Sequence, residues 1–61
     1  MNLRTIRLGK KLSVPKLAEL SGVGRRTIQE VEKRGDCYVS TAIKLADALD
    51  VTLDALCRQE N

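Results

Sequence analysis

The chain has 61 residues and carries 11 Lys/Arg against 8 Asp/Glu, a net charge of +3, with no histidine. This length allows one domain over residues 1–61, with an ordered core expected over about 2–57, and such a chain buries only about 60% of its unfolded surface. The sequence has no His, no nucleophile–base pair and no glycine-rich phosphate loop, which argues against an enzyme, and no apolar run reaches the length of a membrane span.

Tyr38 is the one aromatic residue, so the core must come from Leu, Ile, Val and Ala. Cys37 and Cys57 form no CxxC pair, and no zinc-ligand spacing exists, so neither a metal nor a cofactor is expected. One disulfide is conceivable. No apolar signal stretch precedes the domain, however, and the better reading is a reduced cytoplasmic chain whose thiols fill space as small apolar groups. No small-molecule ligand is evident. The charge is uneven: residues 1–34 hold nine Lys/Arg against three acids, and residues 35–61 hold two against five. A basic half beside an acidic half points to an anionic partner met by one face.

The pattern is helical throughout. Leu3, Ile6, Arg7 and Lys10 mark a first amphipathic segment, with Leu12 just beyond. Ser13 is an N-cap for a helix starting at Val14, and Pro15 suits its first turn, where no N–H is needed. Leu17, Ala18 and Leu20 give that helix its apolar side, and it stops near Ser21–Gly22. A third helix runs from Gly24 or Arg25 to Lys33, with Ile28 and Val31 inward and Gly35 as its stop. Residues 34–39 are expected as a loop, and Ser40 as the next cap. Ala42, Ile43, Leu45, Ala46 and Leu49 then follow at helical spacing. Asp50 ends that helix, since Asp tolerates left-handed φ better than most residues. Thr52 caps a short fifth helix holding Leu53 and Leu56, and residues 58–61 are expected to fray.

Gly22 is the architectural key. Two helices crossing steeply need a tight turn with one residue at positive φ, which glycine adopts without steric cost. Ala18 is small enough for close approach, Val23 can plug the corner, and Ile28 and Val31 can meet Leu17 and Leu20 in the core. With Ile28 and Val31 turned in, Arg25, Arg26, Gln29, Glu30 and Lys33 turn out. Those side chains match base edges: Arg donates twice to guanine, Gln pairs with adenine, and Glu accepts from cytosine.

The ordered set LRTIR, LSVPKLAELSGVGRRTIQEVEKRG and VSTAIKLADALDVTLDAL, spanning residues 3–56, resembles the Cro/lambda-repressor-like (Xre-type) helix-turn-helix family. The resemblance implies an all-α, compact five-helix domain whose helices 2 and 3 form the helix-turn-helix. It implies a sequence-specific regulator of double-stranded DNA, repressor by preference, with helix 3 in the major groove. Carried over by position, Arg25, Arg26 and Gln29 read bases, with Glu30 a fourth. Lys16, Lys33, Arg34 and Thr27 meet phosphates. Arg7 and Glu32 form a structural ion pair between helices 1 and 3.

Palindromic operators read by homodimers are expected, with Leu53, Leu56 and Cys57 either near the interface or simply closing the monomer core. A protein-interaction module of the same fold, such as an antitoxin or adaptor, is the alternative, and the basic outward face argues against it. An RNA target lacks the stacking aromatics it would need. Four positions depart from the family pattern: Val14 where Gln often holds a phosphate, Gly24 for a Ser/Thr cap, Lys11 for glycine, and Val39 for proline.

Overall fold

In the computed structural model, which describes residues 1–58, five α-helices follow one another: α1 (Leu3–Gly9), α2 (Val14–Ser21), α3 (Arg25–Arg34), α4 (Val39–Leu49) and α5 (Leu53–Cys57). All regular structure among the described residues is helical, and none of these helices is long and apolar enough to cross a membrane.

Local chemistry sets most of the helix ends. The Ser13 hydroxyl accepts from the Lys16 N–H at 3.2 Å, and Thr52 Oγ1 accepts from the Ala55 N–H at 3.0 Å. Each thereby satisfies an amide that the helix itself leaves without a partner. Gly22 (φ 74°) and Gly35 (φ 83°) close α2 and α3 in the left-handed region, and their N–H groups return to the Ala18 and Val31 carbonyls. Asp50, at φ 55°, closes α4 in the same way without a glycine.

Lys11 also lies in this region, at φ 58°, where the chain turns from α1 into α2. A side chain there costs about 1–2 kcal/mol of backbone strain, while glycine would free about 0.4–1 kcal/mol more unfolded-state entropy. The difference predicts that Lys11→Gly stabilises the domain by up to about 1 kcal/mol. Urea unfolding checks it, and a lower midpoint would contradict the strain assigned to Lys11.

The core gathers at the junction of all five helices. Leu3, Leu17, Ile28, Leu45, Leu49 and Leu56 are the largest fully buried side chains, joined by Val23, Val31, Ala42 and Ala46. α2 packs on α3 and α4, α4 on α5, and α1 on α3 and α5. Val23 plugs the corner after Gly22 and is buried. The chain start is tied down by a long-range contact: the Asn2 side-chain amide donates to the Ala55 carbonyl at 2.8 Å, and the Asn2 N–H donates to the Leu56 carbonyl at 2.9 Å.

Several expectations need correction. Leu20 is 51% exposed and lies outside the core that Leu17, Ile28 and Val31 share. The buried side of α2 runs through Leu17, with Val14, Ala18 and Ser21 half-buried, and Leu20 falls beyond its edge. Ile43 likewise faces solvent, outside the Ala42–Leu45–Ala46–Leu49 stripe. Ser40 is not a cap. The cap lies two residues earlier, at Tyr38, whose carbonyl accepts from the Ala42 N–H at 3.0 Å, and α4 starts at Val39. The connection before α4 is residues 35–38, a residue shorter at each end than expected.

Leu56 is fully buried and closes the monomer core, the second of its two expected roles, whereas Leu53 and Cys57 are exposed. Of residues 58–61, Arg58 caps α5 through its N–H to the Asp54 carbonyl at 3.0 Å. The other three lie outside the described residues.

The two cysteines have different surroundings. Cys37 is half-buried and packs against the core, while Cys57 ends α5 facing solvent and fills no space. Burial pushes the Cys37 thiol above its usual range, and the charges of Cys57 and Asp36 push it the same way. A thiol whose pKa is higher folded than unfolded contributes stability below its unfolded pKa, about 8.5, and loses it as pH rises through the folded value. We therefore expect the melting temperature to fall on alkaline titration, less so in Cys37→Ser, and iodoacetamide to alkylate Cys57 before Cys37. Equal alkylation rates would contradict the protection of Cys37.

Candidate nucleic-acid interface

α3 carries the candidate site because its sequence divides it lengthwise. Ile28 and Val31 are buried, Glu32 is half-buried, and Arg25, Arg26, Thr27, Gln29, Glu30, Lys33 and Arg34 are exposed. The inner edge is anchored to α1. Arg7 Nε donates to Glu32 Oε2 at 2.8 Å and Nη2 to Oε1 at 3.2 Å, a bidentate pair. The third guanidinium nitrogen, Nη1, donates to the Leu12 carbonyl at 2.8 Å and so also fixes the turn into α2. The two side chains are only 10% and 12% exposed. The Glu32 hydrogen bond raises the Arg7 pKa above its ordinary value, against the opposing effect of burial, so Arg7 stays charged. Among the described residues, every buried side-chain nitrogen or oxygen has a partner.

The exposed residues fall into two groups. Arg25, Arg26 and Gln29 border an open groove with Val14 and Pro15 from the start of α2 and Gly24 from the turn. Thr27, Glu30 and Arg34 occupy the other flank and share a cleft with Asp36, Cys37, Tyr38 and Thr41. Glu30 thus reaches both groups: it belongs to the second cleft, and its carboxylate lies 4.0 Å from Arg26 Nε across one helical turn. Lys33 is exposed at the last turn of α3. Lys16 lies apart on α2, half-exposed, 3.8 Å from Glu19.

Tyr38, 84% exposed, and Thr41 flank this face, and the sequence pattern assigns neither of them to it. The one signal in the sequence is the position of Tyr38, the sole aromatic residue, just past a basic helix end.

The two helix starts differ in what they leave free. At α2 the Lys16 N–H goes to the Ser13 hydroxyl and the Leu17 N–H to the Ser13 carbonyl, while Pro15 has none. The start of α2 therefore leaves few amides without a partner. At α3 Gly24 offers no side-chain cap, so no hydroxyl competes for the first amides of the helix.

Two helices meeting at a left-handed glycine, the second presenting Arg, Gln and Lys outward, define a helix-turn-helix domain. A helix-turn-helix family model matches residues 3–56, and the chain belongs to that family, in its Xre/Cro-type branch. It is a DNA-binding domain of a generally non-enzymatic family. No curated protein and no solved structure matches it significantly.

Proposed function

We propose that this chain is a transcriptional repressor that lays α3 in the major groove of double-stranded DNA. The observation that carries the reading is the α2–Gly22–α3 corner with Arg25, Arg26 and Gln29 exposed along one groove beside it. A helix about 10–12 Å across fits a major groove about 12 Å wide. Arg25, Arg26 and Gln29 read base edges. Glu30 stands beside them and accepts from a cytosine amino group. Lys16, Thr27, Lys33 and Arg34 meet phosphates on either side and set the register without reading sequence. Arg7 and Glu32 hold the angle of the reading helix.

One α3 contacts few base pairs, so the working species is a homodimer on a palindromic operator. The exposed apolar side chains Val39, Ile43 and Leu53 supply the contact surface, with Cys57 at its margin. Repression follows from occupancy, because a bound dimer excludes other proteins from the same duplex.

Selection of bound duplexes from a random library tests this. Enrichment of an inverted repeat, with half-sites about 34–36 Å apart, is the expected result. A folded protein that enriches nothing would overturn the reading and turn attention to protein partners for the same face.

A further inference from the structure

The sequence contains three sulfur atoms, in Met1, Cys37 and Cys57. All three residues line one small cleft between the connection after α3 and the end of α5, away from the helix-turn-helix corner. Val39, Leu53 and Cys57 of this lining also belong to the proposed dimer surface, but neither that surface nor the reading helix requires three sulfur atoms to converge. Cys37 and Cys57 are 20 positions apart in sequence and on different elements, Cys37 in the 35–38 connection and Cys57 at the end of α5. Apart from Asp36, the rest of the lining is apolar or glycine, with no lysine or arginine.

We propose that this cleft binds one copper(I) ion through the Cys37 and Cys57 thiolates, with the Met1 thioether as a third ligand. Thiolate and thioether donors select soft cations. Zinc would need a closed four-ligand set, and among the described residues no group of three or more His, Cys, Asp or Glu is placed to hold a metal. Copper(I) accepts two or three sulfur ligands. Binding involves no redox step: each thiol gives its proton to water, three Cu–S bonds form, two to thiolates and one to the thioether, and the metal's charge offsets one of the two thiolates. The cleft is poorly suited to a thiol–disulfide switch, because reactive thiolates sit beside cations or helix N-termini. Here Asp36 is the neighbouring charge and Cys57 closes the C-terminal end of α5. Bound metal would fasten the 35–38 connection to α5.

The test is an anaerobic titration of the reduced full chain with copper(I) against bathocuproine disulfonate, with the Met1 methyl followed by NMR as the only methionine signal. We expect one ion retained per chain, a shifted Met1 methyl, and a drop of more than about tenfold in affinity in both Cys37→Ser and Cys57→Ser, since even outer-shell changes cost 10–100-fold. Circular dichroism confirms that each variant keeps its helices, and Cys37→Ala serves if the serine variant does not. Unchanged affinity in either variant overturns the proposal. So does complete loss of the ion to the chelator, or a reduced chain that forms a Cys37–Cys57 disulfide with glutathione disulfide yet retains no copper.

Discussion

Replacing Arg7 with alanine lowers the unfolding free energy by about 3 kcal/mol, the low end of the cost of removing one partner from a buried ion pair. The low end applies because about a tenth of each side chain still reaches water. The substitution leaves the Glu32 carboxylate half-buried without its two donors and strips the Leu12 carbonyl of its hydrogen bond. A domain of this size holds about 3–9 kcal/mol in total, so the variant is unfolded in a large fraction of molecules near its melting range. Glu32→Gln keeps the shape and one acceptor, and is destabilised less. The double variant Arg7→Met with Glu32→Leu recovers most of the stability, because well-packed apolar side chains often replace a buried pair at no net cost. Urea unfolding of the native chain, Arg7→Ala, Glu32→Ala and the double alanine variant gives the coupling energy directly. A destabilisation below about 1 kcal/mol for Arg7→Ala would mean the pair behaves like an exposed one, and α3 would then be held by Ile28 and Val31 alone.

The features legible in the sequence are those that depend on neighbours a few positions apart. Ser13 and Thr52 cap their helices, and Gly22, Gly35 and Asp50 end theirs, because each bond closes within four residues. Leu20 and Ile43 depart from expectation for a related reason. Helical spacing shows that an apolar stripe exists, but the helices packed against it fix where its centre lies. Leu20 extends the stripe of α2 by one position, and α3 and α4 pack elsewhere. Contacts between distant residues leave no local trace: the Asn2 amide on Ala55 spans 53 positions, and the gathering of Met1, Cys37 and Cys57 is set by how α5 returns to the chain start. At the candidate interface the outward face follows from Ile28 and Val31. Its division into an Arg25–Arg26–Gln29 groove and a Thr27–Glu30–Arg34 cleft does not, because the boundary is drawn by α2 on one side and the 36–41 segment on the other.

That division separates the DNA variants by kind. On the proposed reading, Arg25→Ala and Arg26→Ala each relax preference at one position of the half-site, at a cost of about 1–3 kcal/mol on the cognate sequence and little elsewhere. Arg26 gives up little to reach a base, because its contact with Glu30 is long and exposed on both sides, and such pairs contribute about 0–1 kcal/mol. Lys16→Ala and Lys33→Ala weaken every sequence alike and flatten the dependence of log affinity on log salt by about 0.9 for each phosphate left without its cation. Glu30 is the informative case. As a reader of cytosine, its removal lowers specificity. As a bystander among phosphate-facing groups, its removal relieves repulsion and tightens binding to all duplexes. Titrations of cognate and scrambled duplexes at several salt concentrations distinguish these outcomes. A uniform weakening in Arg25→Ala, with a flatter salt slope, would move that residue to the phosphate group and leave Arg26 and Gln29 as the readers.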